Sequence, residues 1–225
     1  MAARASFVIP VLNEGEVIAD TLRELRRRLP AVEIVVVDGG SSDATVQEAL
    51  PLCDQLLIGA PGRAVQMNLG GSVALGDYLF FLHADTRPGL DAAGLEALLA
   101  DRPAWGFCRV RLSGSGLRFR VIEWFMNRRS RLTRVATGDQ LLFVSRELYG
   151  ATGGFEAIPL MEDVAYCKRL RRAAPPTLVT QPATTSTRRW EARGTVRTVL
   201  LMWGLRLAYA LGVPPRRLEP YYRGR

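Results

Sequence analysis

Residues 35–45 read VVVDGGSSDAT. Three successive valines predict a strand buried on both faces, the pattern of a parallel sheet rather than a half-exposed one. Asp38 closes that strand, which begins near residue 33. Gly39 and Gly40 turn the chain, and Ser41 or Ser42 is placed to cap a helix that starts near Asp43. Strand, tight turn and helix together form the repeating unit of an α/β fold.

The same unit recurs on both sides. Upstream, residues 7–11 (FVIPV) form a short apolar run, followed by a helical pattern over residues 16–29. Val17, Ile18, Leu22, Leu25 and Leu29 line one face of that helix, and Arg26, Arg27 and Arg28 crowd its C-terminal end, where the helix dipole favours cations. Downstream, the patterns predict a strand over 56–58, a helix over 63–75 and a strand over 77–82. Such alternation implies a doubly wound, mainly parallel central sheet flanked by helices, with right-handed crossovers.

The second half is less regular. Strands are expected over 105–112 and 141–144, helices over 117–131 and 162–172, and a Pro- and Thr-rich loop plus strand over 173–187. A strongly apolar final helix is expected over 195–211. It contains Arg197 and Arg206, which argues against a membrane span. Core packing, a dimer face and a membrane-surface face stay open as readings of that helix.

A chain of 225 residues has room for one α/β domain with a full core, so residues 1–225 are read as a single domain. Charge divides it. Residues 1–105 carry 8 basic and 14 acidic side chains, and residues 106–225 carry 22 basic and 8 acidic ones. The basic half calls for phosphate, an acidic acceptor, anionic lipid or nucleic acid, unless it is simply a solvated Arg-rich surface. A nucleic-acid module is disfavoured, because basic residues interleaved with exposed aromatics on a recognised fold are missing. Cys53, Cys108 and Cys167 are scattered and include no CxxC pair, so no zinc site or disulfide framework is expected. Unpaired thiols and a first strand pattern close to the N-terminus fit a cytoplasmic protein.

In open α/β sheets, ligands sit beyond the carboxyl ends of the strands. Asn13-Glu14 follows the first strand, Asp38 to Asp43 the second, and His83-Ala84-Asp85-Thr86 the fourth. Each is an ordinary turn signal singly; three together describe a site. Neither GxGxxG nor GxxxxGK[ST] occurs, so an NAD-type fold and a P-loop are disfavoured. Asp38 is placed to accept hydrogen bonds from a base or ribose. Asp85 is placed to hold a divalent cation, Mn²⁺ or Mg²⁺, that bridges phosphates. Gly138-Asp139-Gln140 precedes a strand and is expected to face the same crevice, with Asp139 and Gln140 offering hydroxyl-binding groups. An ordinary turn is the alternative there.

Four stretches, FVIPVLNE (7–14), VVVDGGSSDAT (35–45), LHADT (82–86) and GGFEAIPLMED (153–163), resemble family 2 glycosyltransferases with the GT-A fold. The match is most similar to a small bacterial subgroup associated with radical-SAM gene neighbourhoods. It covers nearly the whole chain. The resemblance implies inverting, single-displacement transfer of a sugar from a nucleotide sugar, UDP-linked by preference, to a hydroxyl acceptor. Residues 1–105 become the donor half and 106–225 the acceptor-binding and catalytic half. Pro10, Asn13, Glu14, Asp38, Gly40 and Asp43 would line the nucleoside pocket, with Arg63 and Ala84 beside the base or phosphates.

Asp85 matches the second acidic position of the family's Asp-x-Asp metal motif. The first position is His83, the only histidine in the chain, so His83 is either a second ligand or a donor to the diphosphate. Asp163 matches the family's general base, with Glu162 as its neighbour. Arg189 and Trp190 match a late Arg-Trp element that would meet the diphosphate and stack on a sugar. A lipid-linked acceptor, peripheral contact with the inner face of the membrane and a homodimer are left open by the apolar, Arg-flanked helices. The competing reading is a nucleotidyltransferase or sugar-phosphate transferase on a similar sheet, or a non-enzymatic basic binding module. The first of these usually shows a Gly-rich basic loop after strand one, where this chain has the acidic Asn13-Glu14-Gly15-Glu16.

Overall fold

A computed structural model describes residues 4–188, 191 and 194–223. Its first half follows the expected alternation. β1 (Ala5–Val11), α1 (Ile18–Arg28), β2 (Glu33–Asp38), α2 (Thr45–Ala49), β3 (Gln55–Ile58), α3 (Arg63–Val73) and β4 (Tyr78–Phe81) run in order. These four strands lie side by side as β3-β2-β1-β4, all parallel. β1 is buried along its whole length, as its unbroken apolar run requires.

Alternate side chains of β1 feed two cores. Phe7 and Ile9 pack with Ile18, Leu22 and Leu25 of α1, while Val8 packs with Ala64 and Met67 of α3. α3 comes so close to the sheet that a Cβ on Gly70 would sit 2.4 Å from Val8 Cγ1, so only glycine fits there. The rings of Phe7, Phe80 and Phe143 stack across neighbouring strands at centroid distances of 4.8 and 5.1 Å.

Beyond β4 the sheet becomes mixed. β5 (Thr86–Arg87), α4 (Ala92–Ala100), β6 (Trp105–Leu112), α5 (Leu117–Thr133), β7 (Leu142–Ser145), α6 (Arg146–Thr152), α7 (Glu162–Ala173) and β8 (Thr177–Thr185) follow. α8 (Thr195–Ala210) and α9 (Pro215–Arg223) complete the chain. The full order is β3-β2-β1-β4-β7-β6-β8-β5. β7 runs antiparallel to β4, with Phe81 opposite Leu142. This register brings the turn that leads into β7 to the carboxyl end of β4, beside the ends of β1 and β2.

The structure corrects one local expectation. Neither Ser41 nor Ser42 caps α2. The helix starts at Thr45, and Asp43 Oδ1 accepts from the Thr45 amide (3.0 Å) and the Thr45 hydroxyl. α8 is partly core: Leu205 is buried, while Leu200, Trp203 and Leu207 are exposed. Among the described residues, no helix is long and apolar enough to cross a membrane.

Candidate functional site

The loops after β1 and β2 are sewn together. Asn13 adopts a left-handed backbone (φ 54°), a conformation asparagine tolerates better than most residues. Its amide donates to Ser41 Oγ (2.8 Å), and its Oδ1 accepts from the Ser42 amide (2.9 Å). The amides of Glu14 and Gly15 donate to Thr45 Oγ1 (2.8 Å) and Asp43 Oδ2 (3.1 Å). The hydrogen bond from the Thr45 hydroxyl, ahead of the opposing effect of partial desolvation, holds the Asp43 carboxyl below its ordinary value.

Asp38 is 1% exposed, and its Oδ2 accepts from the amides of Gly40 and Ser41, both at 2.8 Å, while Oδ1 accepts from the Ser41 hydroxyl. It shapes the loop that carries Gly40 rather than reaching out of it. Pro10 is buried within β1, two residues past the end of the β1–β4 pairing at Val8 and Phe81.

Gln66 of α3 joins these strand ends from below. Its Nε2 donates to the carbonyls of Val11 and Val37, both at 2.8 Å. A Cβ on Gly39 would lie 3.1 Å from the Gln66 amide. Gln66 escapes a reading of strand ends; its signal is a polar side chain on the helix face that Ala64, Met67 and Gly70 turn toward the sheet.

Arg63 opens α3 and reaches across to the second half. Its guanidinium donates to Tyr222 Oη of α9 at 2.8 Å and pairs with Glu162 Oε1 at 3.4 Å. Burial works against its charge, but Tyr222, Glu162 and Asp163 outweigh burial and raise its pKa above the ordinary value. Tyr222 has no local signal in the sequence: it lies 159 residues from Arg63.

The loop after β4 is pinned on both sides. Thr21 of α1 donates to the buried Ala84 carbonyl at 2.6 Å, and the Ser186 amide donates to the Asp85 carbonyl at 3.2 Å. The Asp85 carboxylate stays half-buried, accepting from the Thr86 hydroxyl at 3.4 Å. His83 Nδ1 lies 3.6 Å from Asp139 Oδ1. The two residues meet because Gly138 has no side chain: a Cβ there would stand 2.1 Å from His83 Cε1 and Nε2.

The same turn holds Asp163. The Gly138 amide donates to Asp163 Oδ2 at 2.8 Å, and Oδ1 accepts from the Val164 amide at 2.7 Å. Asp163 stands in the first turn of α7, where the helix dipole favours a carboxylate. Glu162 is 3% exposed. Burial and the Asp163 charge push its carboxyl above the usual range, against the pull of Arg63. Glu162 therefore faces Arg63 while its neighbour faces the turn.

Gln140 requires a correction. It is 1% exposed, its Oε1 accepts from the Ser130 hydroxyl (2.6 Å) and the Thr137 amide (3.2 Å), and its Nε2 donates to the Cys108 carbonyl (3.3 Å). Gln140 closes a capping box with Thr137 and so points inward, leaving Asp139 as the member of the pair beside His83. Arg189 and Trp190 lie outside the described residues. Their neighbour Arg188 pairs with Glu14 (3.3 Å) and Glu16 (3.1 Å) of the β1 loop. Among the described residues, no three His, Cys, Asp or Glu side chains converge as a ready metal cage.

A family model for glycosyl transferase family 2 matches residues 6–151, about two thirds of the chain. The chain belongs to glycosyl transferase family 2. No curated protein matches it significantly. Solved structures share the architecture of this family 2 chain. *Staphylococcus aureus* TarS 1-349, in complex with UDP-GlcNAc, superposes with a TM-score of 0.63 at 16% identity, over 82% of this chain and 59% of that one. The mannosyltransferase PcManGT from *Pyrobaculum calidifontis*, in complex with GDP-Man and Mn²⁺, gives 0.65 at 21% identity, over 98% of this chain and 68% of that one. Glucosyl-3-phosphoglycerate synthase from *Mycobacterium tuberculosis*, with Mn²⁺, UDP and glucosyl-3-phosphoglycerate, gives 0.61 at 19% identity, over 94% and 81%. The fold is thus GT-A, a single α/β domain, and the chain spans 59% of the length of TarS 1-349.

Proposed function

We propose that this family 2 chain transfers a sugar from a nucleoside-diphosphate sugar, UDP-linked by preference, to a hydroxyl acceptor with inversion at the anomeric carbon. One observation carries the reading: the turn at Gly138 rests on His83 of the β4 loop and holds Asp163 by its amide at 2.8 Å. A single turn thereby spaces the loop that carries Asp85 from a carboxylate of the second half. Single displacement needs that arrangement, with a base on one face of the sugar and a leaving diphosphate on the other.

In this reading the Asp163 carboxylate takes the proton of the acceptor hydroxyl. The acceptor oxygen forms its bond to the anomeric carbon as the bond from that carbon to the diphosphate oxygen breaks, and the diphosphate leaves with the electron pair. Asn13, Glu14, Gly40 and Asp43 frame the nucleoside side. Glu162 and Arg63 position the start of α7. His83 and Asp85 offer one nitrogen and carboxylate oxygens, a donor set that fits Mn²⁺ or Mg²⁺ when diphosphate oxygens and water fill the remaining positions. Such an ion would stabilise the negative charge that develops on the leaving diphosphate. That solved neighbours hold UDP or GDP-Man together with Mn²⁺ supports a divalent cation as part of this reading.

A thermal-shift screen of nucleoside diphosphates and their sugars, with and without Mn²⁺, tests this reading, because a bound donor raises stability by mass action. UDP with Mn²⁺ should stabilise the wild type, and Asp85→Asn should lose the metal-dependent part of the shift. No stabilisation by any nucleotide would sink the reading, and an unchanged metal effect in Asp85→Asn would remove Asp85 from the metal.

A further inference from the structure

Two arginines near Asp163 have no role in the chemistry above. Arg129 lies on α5 and Arg206 on α8, both half-buried, and both feel the Asp163 charge. Arg129 is tied to the Gly138 turn through one chain of bonds: its Nη2 donates to Ser130 Oγ (3.2 Å), which donates to Gln140 Oε1 (2.6 Å). Cys167, four residues beyond Asp163 on α7, lies on the same helix face and is buried. α5 and α8 touch through Phe125 and Trp203, whose ring centroids are 6.1 Å apart; Arg129 stands four residues beyond Phe125 and Arg206 three beyond Trp203, so each arginine continues the face on which the two helices meet.

Their pairing is incomplete. Arg129 Nε is buried without a hydrogen-bond partner, and among the described residues neither Arg129 nor Arg206 forms an ion pair. Burial, and then the charge of Arg206, pull the Arg129 guanidinium down to about 10. Arg63 shows the contrast. It too is drawn inward, but it has Glu162 and Tyr222 as partners, and its charge is reinforced. Withdrawing cations from water and leaving them short of partners is costly, and a bound anion repairs that cost. The planar guanidinium fork suits an oxyanion with several oxygens, and a phosphate brings charge enough for two arginines.

We propose that Arg129 and Arg206 bind a phosphate group carried by the acceptor, and so deliver the neighbouring acceptor hydroxyl to Asp163. This rests on the reading of Asp163 as the base. The donor's diphosphate is assigned elsewhere, to the loops after β1, β2 and β4, so the anion for α5 and α8 arrives on the second substrate.

Titration with inorganic phosphate, followed by ³¹P line broadening and melting temperature at constant ionic strength, tests the site. Two arms are run, free protein and protein saturated with UDP and Mg²⁺, a diamagnetic ion that leaves the ³¹P line free to report binding. Wild type should bind phosphate saturably in both. Arg129→Gln and Arg206→Gln should each bind it about tenfold more weakly, with UDP binding unchanged, and Arg206→Lys should recover part of the loss. Glycerol 3-phosphate and vesicles carrying phosphatidic acid, run in parallel, separate a soluble phosphate acceptor from a lipid one. Loss of binding to either in the Gln variants supports the site. Phosphate that UDP displaces, or that binds the two Gln variants as it binds wild type, overturns the proposal. Failure of UDP to bind at all overturns the donor reading instead and leaves the free-protein arm intact.

Discussion

Gly138 donates its amide to Asp163 Oδ2 at 2.8 Å, and this bond sets the direction in which the carboxylate can act. An asparagine at 163 can still accept that bond through its carbonyl oxygen, but it cannot take up a proton. Asp163→Asn should therefore fold normally and bind UDP as wild type does. Turnover should fall by roughly 10²–10⁴-fold, the usual worth of a positioned base. Steady-state rates beside a calorimetric UDP titration check both halves. Full activity would remove Asp163 from the base role.

Gly138→Ala should damage stability and activity together. The added Cβ would stand 2.1 Å from the His83 ring, so the ring or the turn must move. Overpacking of this kind costs about 1–3 kcal/mol, and for a domain of this size each kcal/mol lowers Tm by roughly 2–4 °C. His83→Ala placed in the same chain should restore much of the lost Tm, because it vacates the space. A double-mutant cycle measures that coupling directly.

Gln66→Ala should loosen the donor side. It strips the bonds to the Val11 and Val37 carbonyls at the ends of β1 and β2. Buried acceptors left without a donor cost about 1–3 kcal/mol. Lower Tm should accompany weaker UDP binding, since both loops hang from those strand ends. Weaker stability with unchanged nucleotide affinity would show that the loops hold their shape without Gln66.

Glu24 provides a pH test far from the crevice. Its carboxylate accepts from Arg27 Nε (2.8 Å) and Arg28 Nε (2.6 Å), and the hydrogen bonds from Arg27 and then Arg28 bring its pKa down to about 2. An acid whose pKa falls on folding adds stability above its ordinary value and loses it as pH drops through the lowered one. Glu24→Gln should thus lower Tm slightly at pH 7, by an amount worth about 0.2–1 kcal/mol for exposed pairs. The gap between variant and wild type should shrink from pH 4.5 toward pH 2, and also in high salt. A gap that widened on acidification would contradict the assignment.

Strands β1 and β2 were legible because Phe7–Ile9 and Val35–Val37 leave no polar face, and only a doubly covered strand accepts that. Helix α4 was equally signalled, by Asp91 ahead of AAGLEALLA, and the structure shows Asp91 accepting from the Gly94 amide at 2.8 Å. Its period is faint because AAGLEALLA has no strong polar face. Pro220 broke the pattern of α9. The site divides in the same way. Loops at strand ends follow from topology, so the positions of Asn13, Asp43 and Asp85 just after β1, β2 and β4 could be read from the sequence. Asp139 and Gln140 could not be told apart, since the capping box that turns Gln140 inward depends on Thr137 and on Ser130 of another element. Tyr222 against Arg63, and Arg129 beside Arg206, are meetings of distant segments, and no local period records them.

The turn at Gly138 has no slack. One side of it rests on the His83 ring, and its amide grips Asp163. On the proposed reading, a displacement of the donor loop passes straight to the base through one residue. Timing then needs no separate device: whatever orders the donor loop also orders the base.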